Sequence, residues 1–408
     1  MQLGILTAMH TAVESSINNI TFALTDEQRE LVAVARQFAQ EKLRPEADRL
    51  YREGWELPTQ LMAEAGELGL TSYGMPEAYG GGGFDSVTCA LIMEELSAGD
   101  PGLATLLDSS QLFGGGLLAA IQCGADEAQL APWIKLMCKP EGAIGAIAFS
   151  ESHAGSDFAA IRATARRDGD DWILNGEKTW ITGGATFADA MLVFARTGEE
   201  GASGISAFIV EGRQEGVTSS KLDLMGLRSS YTGSLFFDDV RVPAAQLVGE
   251  EGQGFAIAMM FFMHSRPQVA AAALGIGKAA FEYAVQYANE REAFGKPIIR
   301  NQGISFMLAD MGMQLEAARS LVWRACDASE RGADAGLVGS YAKAFASDVA
   351  MQVTTDAVQV LGGAGLSTDH PVERWMRDAK VLQIVEGTNQ IQRLIASRYY
   401  SSGSTTVS

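Results

Sequence analysis

The feature that most narrows the fold is a change of hydrophobic period, from helical to alternating and back, along one continuous chain. At Thr25-Asp26-Glu27-Gln28 the threonine can cap a helix and the glutamine can reach back to it, a capping box. Leu31, Val34, Ala35 and Phe38 then fall at i, i+3, i+4 and i+7, one apolar helical stripe. Further helices are expected over 58–68, 86–96 and 103–123, broken by the run Gly80–Gly83 and by Asp100-Pro101-Gly102. Near Gly142 the pattern gives way to short apolar runs at Ala146–Phe149, Trp172–Leu174, Met191–Ala195 and Ile205–Val210. Asn175-Gly176, between Trp172–Leu174 and Lys178–Thr182, reads as a hairpin turn. Helical spacing returns from about Gly254. Residues 256–292 are rich in Ala, Met and Phe, and Ile304, Met307, Leu308, Met311, Leu315, Ala318 and Val322 share one face. A further helix over 338–361 ends at Gly362-Gly363. The fold class expected is mainly α with a central β domain: an N-terminal helical domain (24–145), a small β-barrel or sandwich (146–253) and a C-terminal four-helix bundle (254–400). Residues 1–23 read as a variable extension and 401–408 as a frayed tail.

Composition excludes several classes. Of 408 residues 47% are hydrophobic and 20% charged, which excludes a disordered chain. No uncharged apolar run approaches the ~18–20 residues of a membrane span. The first cation is Arg29, so the extension lacks the basic start of a targeting leader. Cys89, Cys123, Cys138 and Cys326 are scattered, and four histidines leave no metal-ligand spacing; together they favour a reducing, cytoplasmic setting and no metal. The net charge of −19 argues against nucleic acid, and any anionic ligand would need a local basic pocket. Two glycine clusters, Gly249/Gly252/Gly254 and Gly362/Gly363/Gly365, follow no strand of a βαβ unit, so they read as turns and a helix cap.

Four segments carry chemistry. In Phe149-Ser150-Glu151-Ser152-His153-Ala154-Gly155-Ser156-Asp157, Ser150 and Ser156 offer hydroxyls from a strand end and a tight loop; the bland alternative is an ST-turn, with His153 a solvated loop residue. Lys178-Thr179-Trp180-Ile181-Thr182-Gly183-Gly184 offers a flat ring beside a hydroxyl, although a lone Trp in a β domain is more often core. Arg291-Glu292-Ala293-Phe294-Gly295-Lys296-Pro297 supplies a bidentate cation after a helix end. In Ile384-Val385-Glu386-Gly387-Thr388-Asn389-Gln390-Ile391-Gln392-Arg393, Ile384 and Val385 give Glu386 apolar company that would raise its pKa. Gly387 permits close backbone approach, and Thr388 caps the last helix.

With these four segments in order, the sequence resembles the acyl-CoA dehydrogenase flavoprotein family, in its short/medium-chain-like branch, from about residue 24 to 400. The resemblance implies FAD as cofactor, with Phe149, Ser150, Ser156, Trp180, Thr182, Arg291, Phe294, Gln302, Gln359, Gly363, Thr388 and Gln390 against it. It implies an acyl-CoA substrate held by Ser156, Phe262, Met263, Arg266, Val385 and Gly387. Glu386 would be the base that takes the α-proton while flavin N5 accepts hydride, giving the trans-2-enoyl-CoA. Some branches place the base just before an Arg-Pro pair; here Ser265 precedes Arg266-Pro267 and cannot serve, which agrees with Glu386. The segment after Phe149 departs from the family's Thr-Glu-Pro-Gly-Ala-Gly, with Ser152 and His153 replacing Pro and Gly. Val385, where Tyr is common, and Met263, where medium-chain relatives carry an acid, suggest a short, branched or bulky uncharged acyl group. The family also implies a homotetramer sharing its flavin sites and an electron-transferring flavoprotein as acceptor. Other readings on the same motifs are an acyl-CoA oxidase, a carrier-protein-linked dehydrogenase, an enoyl-CoA reductase, or a helical binding protein without activity.

Overall fold

The computed structural model describes residues 23–53, 56–183, 188–332 and 335–401. The proposed extension and tail therefore lie almost wholly outside the described residues, as does Gly184 of the second segment.

Thr25 caps α1 (Asp26–Phe38) in a full capping box: Thr25 Oγ1 accepts from the Gln28 N–H and the Gln28 side chain accepts from the Thr25 N–H, both at 3.1 Å. A π-helical stretch over Ala39–Leu43 joins α1 to α2 (Arg44–Glu53). Next come α3 (Thr59–Glu67), α4 (Ser86–Gly99), α5 (Pro101–Leu107), α6 (Ser109–Gln122) and α7 (Glu127–Met137). The single helix expected over 103–123 is thus two, divided at Asp108, and α7 is an additional helix despite its internal Pro132.

The middle region is one eight-stranded sheet: β1 (Gly145–Ala148), β2 (Thr164–Asp168), β3 (Asp171–Ile181), β4 (Ala190–Arg196), β5 (Ile205–Glu211), β6 (Val217–Lys221), β7 (Gly233–Pro243) and β8 (Leu247–Val248). Its order is β6-β7-β3-β2-β4-β5-β8, with β1 parallel beside β4. Asn175-Gly176 is not the hairpin turn expected of it. β3 runs straight through the pair, and its register against β7 slips between Leu174 and Gly176. Gly176 has φ 134°, and a Cβ there would lie 2.7 Å from Ala163 Cα, so close strand packing rather than chain reversal requires the glycine. The reversal occurs earlier, at Gly169-Asp170 between β2 and β3, where Gly169 has φ 65°.

The C-terminal region opens with the 37-residue α8 (Gly254–Glu290). A small ribbon, β9 (Glu292–Ala293) with β10 (Lys296–Pro297), leads to α9 (Gln302–Arg331), α10 (Ala335–Leu361), α11 (Val372–Leu382) and α12 (Asn389–Ser401). Helix α8 packs on α9, α10 and α11 within the bundle and on α4 and α6 of the N-terminal region. One core runs through all three regions, from Ala35 and Phe38 through Trp172 and Phe208 to Leu315 and Trp375. None of the described helices is long and apolar enough to cross a membrane. That shared core fixes the region around Glu386 against elements distant in sequence.

Candidate active site

Glu386 sits in the loop between α11 and α12, and the loop is built to hold an unusual backbone. Glu386 has φ 57° and Gly387 φ 85°. A left-handed glutamate costs on the order of 1–3 kcal/mol and persists only where surroundings over-determine it. Gln392 Nε2 does so by donating to the Glu386 carbonyl at 3.0 Å and the Gly387 carbonyl at 2.9 Å. Thr388 Oγ1 accepts the Ile391 N–H at 3.3 Å, the expected cap of α12. A Cβ on Gly387 would meet Gln392 Nε2 at 2.8 Å, so the glycine admits this clasp.

The carboxylate is partly enclosed. Ile384 is 54% exposed and Val385 is 37% exposed. Ser265 Oγ of α8 donates to Glu386 Oε2 at 2.8 Å, from the position where a carboxylate base was ruled out. Burial pushes the Glu386 carboxyl above its ordinary range; Ser265, then the charges of Arg266 and Lys343, pull against that shift. Arg266 is buried, lies 5.7 Å from the Phe262 ring centroid, and among the described residues its Nε has no hydrogen-bond partner. Met263, beside it on α8, is half-buried.

A second group of expected residues meets the first through aromatic packing. Phe149 lies 4.9 Å from Phe262, ring to ring, and 5.8 Å from Phe261. Thr179 donates its N–H to the Ser150 carbonyl at 2.9 Å, which ties the first two sequence segments together. Trp180 is 58% exposed at φ 64°, an aromatic in a conformation that bulky residues rarely adopt. Thr182 Oγ1 lies 3.4 Å from Thr232 Oγ1. Ser156 is exposed, and His153 Nε2 lies 3.3 Å from the Ala160 carbonyl within its own loop.

The third group stands apart. A cavity of about 390 Å³ is lined by Tyr287, Arg291, Ile298 and the turn 360–364, bringing Arg291 and Gly363 together. Phe294 is 95% exposed at φ 56°, and Gln302, Gln359 and Gln390 are exposed. Six non-glycine residues among those described have positive φ, and three of them are Trp180, Phe294 and Glu386. Strain therefore concentrates in the segments with candidate chemistry.

Each of the three regions matches a family model. Residues 25–141, 146–240 and 252–400 match, respectively, the N-terminal, middle and C-terminal domains of acyl-CoA dehydrogenase. The chain belongs to the acyl-CoA dehydrogenase family. It is 42% identical over 379 residues to a probable acyl-CoA dehydrogenase of Mycobacterium leprae, covering 92% of this chain and 96% of that one. It is 43% identical over 382 residues to an acyl-CoA dehydrogenase of Bacillus subtilis, covering 93% and 99%. Among solved structures, butyryl-CoA dehydrogenase from Megasphaera elsdenii superposes with a TM-score of 0.88 at 40% identity over 94% of this chain and 100% of that one. The FAD complex of PigA superposes at 0.86 and 28% identity over 94% and 99%.

This acyl-CoA dehydrogenase is an FAD-dependent oxidoreductase, and its residues fit that cofactor. A Cβ at Gly362 or Gly363 would meet nothing within 4 Å, so the backbone beside exposed Arg291 is open to a dinucleotide's phosphates. The exposed Trp180 ring and the nearby Thr182 hydroxyl suit a flat heteroaromatic system.

Several residues of the site carry no motif signal. Glu151 and Lys178 form a buried ion pair at 2.8 Å, the glutamate also accepting the N–H groups of Arg162 at 2.7 Å and Ala163 at 2.9 Å. Lys178 Nζ donates in addition to the Phe149 carbonyl at 3.1 Å. Both lie inside the quoted segments, where spacing alone gives them no role. Asp108, at the break between α5 and α6, accepts from Gln111 Nε2 at 2.7 Å and Tyr73 Oη at 3.2 Å. Burial, with a smaller contribution from the Glu386 charge, pushes its carboxyl up to about 7.

Proposed function

We propose that the chain dehydrogenates an acyl-CoA thioester to the trans-2-enoyl-CoA, with Glu386 taking the α-proton. The observation that carries this reading is geometric: Ser265 Oγ donates to the Glu386 carboxylate at 2.8 Å, and burial pushes that carboxyl above its ordinary range. A base needs a pKa near working pH to combine the ionised form with proton affinity, and burial moves Glu386 in that direction. Ionisation of Glu386 is needed for proton removal, so the rate should fall as pH drops through its raised pKa. FAD, when bound, supplies the acceptor for the β-hydrogen and its electron pair.

The chain's remaining task is to stabilise charge on the thioester oxygen as the α-proton leaves. Among the described residues the Glu386 N–H donates to no protein acceptor, while Val385 donates to Val381 and Asn389 to Gln383. Of the loop amides left open in this way, the family resemblance assigns that of Glu386 to the thioester oxygen. Phe149, Ser150, Ser156, Trp180, Thr182, Thr388 and Gln390 are assigned to the flavin of the same chain. Phe262, Met263, Arg266, Val385 and Gly387, with Ser156, are assigned to the substrate.

Arg291 belongs to a different flavin. From Ser265, which touches Glu386, to Arg291 is 26 positions along α8, roughly 39 Å at about 1.5 Å per residue. That is longer than an extended flavin dinucleotide, so Arg291, Phe294, Gln302, Gln359 and Gly363 are assigned to the cofactor of a neighbouring copy in a homotetramer. Arg291→Gln should weaken FAD retention about tenfold to a hundredfold, the worth of one or two charge-assisted hydrogen bonds. Dialysis followed by the flavin-to-protein absorbance ratio measures this; an unchanged ratio would contradict the assignment.

Val385 and Met263 support a short, branched or bulky uncharged acyl group, and the likeness to butyryl-CoA dehydrogenase supports the short end of that range. The four unpaired cysteines support a cytoplasmic location. An electron-transferring flavoprotein is the acceptor this reading implies. Anaerobic flavin bleaching across a panel of acyl thioesters tests it. Fast bleaching by short or branched acyl-CoA, with slow reoxidation in air, is expected. Best turnover with a dicarboxylic or long straight chain would overturn the acyl assignment, and rapid reoxidation by oxygen would replace the dehydrogenase with an oxidase.

A further inference from the structure

Lys343 lies in mid-α10 with its side chain fully buried. A buried ammonium is costly unless its protons find acceptors. Nζ donates to the Gly387 carbonyl at 2.9 Å and to Asn389 Oδ1 at 3.0 Å. Neither acceptor is a carboxylate, and among the described residues Lys343 forms no ion pair. Its acceptors belong instead to the loop that carries the base. Asn389 is itself fixed, donating to Asp348 Oδ1 at 2.7 Å and Ser347 Oγ at 2.9 Å. The Gly387 carbonyl is thus held from two sides, by Lys343 of α10 and Gln392 of α12.

We propose that Lys343 is a positioning residue for the proton abstraction: it clasps the Gly387 carbonyl so that Glu386 keeps its left-handed backbone. This rests on Glu386 being the base. The charged groups facing the lysine are few. Glu386 comes from the loop, Arg266 from α8, and Asp348 from its own helix, the last paired with Arg393 of α12 at 2.7 Å. Burial brings the ammonium down to about 7, against the pull of Glu386 and Asp348 and with the push of Arg266. The charge that supports Glu386 is therefore present below about neutral pH, where the carboxylate most needs it, and fades above.

The test uses the full-length, FAD-loaded protein and butyryl-CoA. Lys343→Met is expected to slow anaerobic flavin reduction about tenfold or more at saturation, with the apparent thioester affinity within about twofold of wild type. The acid limb of its rate against pH should move to higher pH, because a cation beside the base is gone. Gln392→Leu removes the other brace without a charge, and should slow reduction while leaving the limb in place. A normal rate and limb in Lys343→Met would overturn the proposal. Should that variant not load FAD, lysine ¹³Cε NMR decides. The Lys343 titration midpoint must fall in Glu386→Gln, which removes its anionic neighbour, and an unmoved midpoint overturns the coupling. The two readings fail separately: reduction persisting in Glu386→Gln removes the base, whereas an inactive Glu386→Gln beside a normal Lys343→Met removes only the role of the lysine.

Discussion

Glu386→Gln should bind acyl-CoA and retain FAD yet reduce its flavin roughly a thousandfold more slowly, in the upper part of what a positioned general base contributes. The substitution preserves shape, and the glutamine oxygen can still accept from Ser265, so the αL backbone and its clasp by Gln392 should survive. What disappears is an acceptor for the α-proton. Stopped-flow bleaching under anaerobic conditions measures the loss, and the spectral shift on mixing with thioester shows that binding remains. A variant that bleached at the normal rate would sink the assignment of the base. Wild type should lose rate as pH falls through the raised pKa of Glu386, and a limb at the position of an ordinary exposed carboxylate would contradict its desolvation.

Lys178→Met should destabilise the protein by about 3–5 kcal/mol, because it leaves Glu151 ionised and buried with no cation beside it. The effect should reach the cofactor as well. Glu151 anchors the backbone at Arg162 and Ala163, and Lys178 holds the Phe149 carbonyl, so the strand ends beside Trp180 lose their tie. Denaturant unfolding and flavin content after gel filtration report the two losses. Glu151→Gln combined with Lys178→Met should cost less than the sum of the single changes, since the pair acts as a unit. Additive losses would mean that the two side chains act independently.

What could be read from the sequence divides by range. The Thr25–Gln28 capping box and the Thr388 cap involve residues within three positions of each other, so spacing alone reveals them. The order of helical, sheet and helical regions follows from hydrophobic period, which is also local. Asn175-Gly176 misleads because the glycine answers to Ala163 on the packed chain, a demand no local window contains. Glu386 is identifiable through its motif, but its surroundings are not. Ser265 is 121 residues away, and Gly387 and Lys343 are 44 apart. A single lysine among alanines and serines in α10 resembles a solvent-facing residue until packing shows that it has no solvent to face. Asp108 is hidden for a different reason, since the helical regions on either side of its break run on almost without interruption.

The length of α8 has a consequence in genetics. If Arg291 serves the flavin of a neighbouring copy, as proposed above, a defect at Glu386 and a defect at Arg291 fall on different cofactor sites, because α8 separates Ser265 from Arg291 by 26 positions. Two inactive alleles of this kind, co-expressed, would complement each other: in a mixed assembly some sites receive both lesions and others receive none. Two alleles that both alter the Glu386 loop would show no such rescue. Inheritance of a damaged copy would then depend on which end of a single helix the damage touched.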